Sequence, residues 1–131
     1  MSELISEVNW IAVVVGTVLA YVLGAAWYST KMFGTKWAEG VGVELSDDMK
    51  LPVAAMSMQF VATFCLAWVI GIMATTHALY TAILICVVVV TMIAANGMFA
   101  QKSCYAIATE RGFIASMSFI MIVCQGVLRI N

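Results

Sequence analysis

The stretch that decides the fold is Asn9–Trp37, NWIAVVVGTVLAYVLGAAWYSTKMFGTKW. From Val8 to Tyr28 no residue is charged. At about 1.5 Å per residue, about 20 residues cross a bilayer core of about 30 Å. A helix of a soluble protein would show a polar face at helical periodicity, and this run shows none. Ala12, Gly16, Ala20 and Gly24 recur at every fourth position and form a stripe of small side chains. Such a stripe lets another helix backbone approach closely. The expected occupant is in part a second protomer, and the competing account seats the second or fourth span of the same chain there. Val14, Val18 and Val22 lie opposite, on a face suited to lipid. Where the run stops, Trp27, Tyr28, Phe33 and Trp37 crowd together. Rings of this kind favour the headgroup layer, so Trp10, Phe33 and Trp37 read as interfacial anchors. Lys31 and Lys36 can snorkel from the same place.

The rest of the chain has the same character. Of its 131 residues, 64% are hydrophobic and 10% charged, and the mean hydropathy is +1.05. Soluble domains sit near about 25% charged. The fold class expected is therefore an all-α membrane protein, one domain with four transmembrane helices in a small bundle. A formal net charge of -1 offers no basic field, so nucleic acid is not an expected partner. The acidic start MSELISEVNW and the length of the apolar run argue against a removable signal peptide. Cys65, Cys86, Cys104 and Cys124 form no C-x-x-C pair and read as small hydrophobes. No cofactor is expected.

The spans are predicted at approximately 8–28, 52–74, 78–100 and 112–128. A loop over 29–51 is expected to be cytoplasmic. Within it, Lys31 to Ala38 reads as a short interfacial segment and Glu39 to Val43 as a glycine-bearing break. Ser46-Asp47-Asp48 or Leu51-Pro52 would open the second span. Thr75-Thr76-His77 is expected to form a tight turn, and Gln101 to Arg111 to join the third and fourth spans. Orientation follows from flanking cations. Lys31, Lys36, Lys50, Lys102 and Arg111 lie on one side, and Arg129 on the other. That bias is expected to place both termini in the periplasm or outside, with the first and third loops in the cytoplasm.

Polar residues inside the spans need partners. With this topology Ser57, Gln59, Asn96, Ser116 and Ser118 share one layer, level with Trp27 and Tyr28. Trp27, Tyr28, Ser57, Gln59, Asn96 and Ser116 form a candidate polar layer or ligand site; the alternative is mutual hydrogen bonding. Asn96, with Gly97 beside it, is the sharpest single residue. His77, the one histidine, reads as a solvated turn residue. No span shows a charge in its middle, which sets the chain apart from the small multidrug exporters and their intramembrane acid. No Ser-His-Asp set, paired carboxylates or His-Glu cluster can be assembled, so an enzyme is not expected.

Asn9-Trp10, Gly24-x-x-Trp27-Tyr28-Ser29 and Phe33-Gly34-x-x-Trp37 resemble the opening of a membrane family, domain of unknown function 1761. Asn96-x-x-Phe99 and Arg111-Gly112-Phe113 resemble its second half. The resemblance covers most of the chain, implies a small bacterial helical membrane protein and brings no assigned activity. Two functional readings follow. The first is a non-catalytic membrane protein working through helix contacts, as a homo-oligomer or an accessory subunit of a larger membrane complex, in contact with membrane lipids. The second is an oligomeric channel or carrier for a small solute or lipid.

Overall fold

The computed structural model describes residues 5–29, 32–42 and 53–128. Among them there are five helices: α1 Trp10–Trp27, α2 Gly34–Val41, α3 Val53–Thr75, α4 Leu79–Phe99 and α5 Cys104–Val127. All but α2 are long and apolar enough to cross a membrane. Lys31, Ser46-Asp47-Asp48, Lys50, Pro52 and Arg129, on which several expectations rested, lie outside the described residues.

Each end has a local cause. Asn9 caps α1, its Oδ1 accepting from the Ala12 amide at 3.1 Å. Gly42, at φ 80°, closes α2 in the left-handed conformation. The expected break at Glu39 therefore begins three residues later, and Glu39 to Val41 are helical. The turn after α3 is a Schellman motif: Ala78 N–H donates to Met73 O and His77 N–H to Ala74 O. His77 supplies the left-handed residue at φ 56°. Gln101, at φ 60°, does the same after α4, with Lys102 N–H donating to Gly97 O.

α5 differs most from expectation. It starts at Cys104 rather than near Gly112. Ser103 is its N-cap, its hydroxyl accepting from the Ala106 amide at 3.0 Å. The segment read as a connector is thus two further turns of helix, and Glu110 and Arg111 are helical.

α5 is also the hub. It packs against α1, α2, α3 and α4, whereas α4 packs chiefly on α3 and α5. In α5, 44% of the span is buried, against 28% in α1 and 17% in α4. The core is Val13, Ala20, Ala67, Ile70, Phe113, Ile114, Met117 and Met121. Ala12 and Ala20 are fully buried. A Cβ on Gly16 would stand 3.4 Å from Met121 Cγ, and one on Gly24 3.0 Å from Phe113 Cζ. The small stripe therefore receives this chain's own α5, the fourth span of the competing account. The physical reason is that α5 brings Phe113, Met117 and Met121, flat or flexible side chains that fill a smooth groove. Val14, Val18 and Val22 face outward, each at least half exposed.

Candidate functional site

One end of the bundle is aromatic. Tyr28 stands edge-on to Phe113 at 5.4 Å between centroids and to Trp37 at 5.0 Å, and Trp27 lies against Phe33 at 4.8 Å. Gly34 brings its backbone against the Tyr28 carbonyl, where a Cβ would overlap, and its N–H donates to Ser29 O at 2.9 Å. Phe33 and Trp37 thus lean on Trp27 and Tyr28, and Trp10 packs on Trp68 at 5.5 Å. All three expected anchors make these contacts within the protein and are only half-buried. α2 docks on the start of α5, where Gly40 meets Ser103 and its carbonyl accepts from the Ser103 amide at 3.1 Å.

Polar groups here are mostly paired. The Trp27 indole N–H donates to Thr109 O at 3.0 Å. Lys102 Nζ donates to Glu110 Oε1 at 2.6 Å, mostly shielded from solvent. Lys36 stands over the Tyr105 ring. Burial first, and the Glu110 charge second, push the Tyr28 phenol well above its ordinary value. The Trp37 indole N–H and the Ser118 hydroxyl are buried with no partner among the described residues.

The expected polar layer does not assemble. Trp27 and Ser116 line one shallow groove between α1 and α5, with Leu23 and Phe119, and Tyr28 adjoins Trp27 in the chain. Ser57 and Gln59 are exposed on α3. Gln59 Nε2 turns back to Thr63 Oγ1 at 3.3 Å. Asn96 is exposed on α4 rather than buried in a network. Position along the chain fixed the depth of these residues. Azimuth, which decides whether they meet, cannot be read from spans that are apolar on every side.

The opposite end holds a polar cavity of about 340 Å³. It is lined by Glu7, Asn9, Gly71, Thr75, His77 and Gln125. The missing side chain of Gly71 opens its floor, since a Cβ there would stand 2.9 Å from Val13 Cγ2 and 3.1 Å from Gln125 Nε2. Asn9 builds a wall by using its amide twice: Oδ1 caps α1, and Nδ2 donates to Leu128 O at 2.7 Å. The Gln125 side chain makes no hydrogen bond among the described residues. Glu7 holds φ 63°, a conformation costing a non-glycine residue on the order of 1 kcal/mol. Only His77 of this set was singled out by its residue type, as a solvated turn residue, and it is exposed. The available signal was Gln125, an amide between Cys124 and Gly126 in an otherwise apolar run.

Among the described residues, no group of three or more His, Cys, Asp or Glu could hold a metal. All four thiols are free. Among curated proteins and solved structures nothing matches this chain. A family model described as "Protein of unknown function (DUF1761)" matches residues 11–126. That span runs from the first turn of α1 almost to the end of α5, taking in the aromatic junction and every apolar span, and the chain belongs to this family.

Proposed function

We propose that the protein is a non-catalytic bacterial inner-membrane protein that acts through helix–helix association with a second copy of itself. Both termini face the periplasm. The observation that carries this reading is α4. Only 17% of its span is buried, and Tyr80, Leu84, Val88 and Met98 leave a long face bare. On the same helix Asn96 is exposed and makes no side-chain hydrogen bond among the described residues. An amide at the apolar layer costs free energy until it is paired. Carrying both donor and acceptor, it matches a copy of itself across a twofold axis. The Lys102–Glu110 ion pair supports the non-catalytic reading by giving that carboxylate a structural partner.

Extraction into nanodiscs followed by native mass spectrometry tests this. A dimer that Asn96→Leu weakens supports it. A stoichiometric foreign chain would instead make the protein an accessory subunit of a larger complex. A monomer in both forms contradicts the proposal. The second reading, an oligomeric carrier for a small solute or lipid, is favoured by the polar cavity at the Glu7 end.

A further inference from the structure

We infer that the cavity at the Glu7 end binds a primary ammonium group. Its volume of about 340 Å³ falls at the small end of ligand pockets, which run from about 300 Å³ upward. Three features favour a cation there, with His77 the other titratable group in the lining. Glu7 places a carboxylate at the wall. The last turn of α3, at Gly71, Ala74 and Thr75, and the last turn of α5, at Gln125, both end here. Helix C-termini carry partial negative charge and favour cations. The N-termini of α1 and α4 also lie at this end, but Asn9 already occupies the Ala12 amide, and α4 begins at Leu79, beyond the lining, which stops at His77.

The hydrogen-bonding pattern selects among cations. Glu7 offers carboxylate oxygens to an N–H donor, and the unengaged Gln125 amide, whose Nε2 lies nearest Gly71, carries a carbonyl oxygen that can join them by turning over. The described lining residues include no Trp, Tyr or Phe. A quaternary ammonium, which relies on aromatic faces, finds nothing to bind it there. An ammonium with three N–H donors does. Gly71 keeps the floor open, because a methyl group there would press on Val13 and Gln125. Free small amines and the ethanolamine headgroup of a phospholipid share this chemistry. The inference is independent of association through α4, since the cavity lies where α4 begins and Asn96 near where it ends.

Ethanolamine and choline are titrated against the purified full chain in phosphatidylcholine nanodiscs by calorimetry. Glu7→Gln and Gln125→Leu are run beside the wild type, with circular dichroism to establish folding. Saturable binding of ethanolamine, at least tenfold tighter than choline and weakened at least tenfold by Glu7→Gln, is expected. Gln125→Leu weakens it severalfold. Repeating the titration with phosphatidylethanolamine in the nanodisc distinguishes the sources. Loss of free ethanolamine binding assigns the site to the headgroup, and unchanged binding assigns it to a soluble amine. Absence of saturable binding to the wild type, equal affinity for choline, or full affinity in folded Glu7→Gln overturns the inference.

Discussion

Gly16 decides between packing inside the chain and packing between chains. A Cβ at this position would stand 3.4 Å from Met121 Cγ, 3.6 Å from its Cα and 3.8 Å from its Cβ. Those are ordinary van der Waals contacts, so Gly16→Ala fits without movement. It also removes the helix penalty of glycine, up to about 1 kcal/mol. Gly16→Ile adds two branches to that Cβ, with the Met121 backbone in the way. Met121 can swing its flexible side chain aside, but its Cα cannot move unless α1 and α5 separate. Overpacking of this kind costs about 1–3 kcal/mol. The assay is reversible unfolding in mixed detergent micelles at increasing denaturing detergent, read by circular dichroism. Gly16→Ala should unfold at or above the wild-type midpoint, and Gly16→Ile should lose about 1–3 kcal/mol. Native mass spectrometry of both variants provides the second readout. A Gly16→Ile monomer of full stability that has lost only its oligomer would refute internal packing of the stripe.

Other consequences follow from the same geometry. Asn96→Leu should change monomer stability by less than about 0.5 kcal/mol, as at other exposed sites, while lowering dimer content in nanodiscs; a large loss of monomer stability would mean that the amide is buried after all. Trp27→Phe removes the hydrogen bond to Thr109 O and should cost about 1 kcal/mol in the same micelle assay. The Tyr28 phenol is held above its ordinary value of 10.0. The native state therefore keeps a proton that the unfolded chain gives up, and stability should fall as pH rises beyond about 10. Ultraviolet titration of the phenols should show a late step that Tyr28→Phe removes.

The existence of the helices was legible because their signal is local. Val8–Tyr28 has no charge, and within a single segment only a helix satisfies the backbone in lipid. The start of α5 was missed for a local reason too. Arg111-Gly112 has the look of a boundary, while the true cap, Ser103, lies two turns earlier and is followed by Cys104-Tyr105-Ala106 with no acid in the first turn. The polar layer failed for a different reason. Ser57, Gln59 and Asn96 sit on spans that are apolar on every side, so nothing in the sequence says which way they face. Small residues were more informative. Ala12, Gly16, Ala20 and Gly24 marked the close face of α1, although not the helix that fills it. The polar cavity was hidden because Glu7, Gly71 and Gln125 are far apart in the chain and meet only once α1, α3 and α5 are packed.

Association through α4 is tested most directly by site-specific photo-crosslinking in native membranes. A benzophenone amino acid is placed at Val88 or Thr91 on the exposed face of α4, and at Val18 on the exposed face of α1 as the lipid-facing control. The account predicts a discrete adduct of twice the chain mass from the α4 positions and only lipid adducts from Val18. Lipid adducts alone from all three positions, or equal protein adducts from both helices, would contradict it.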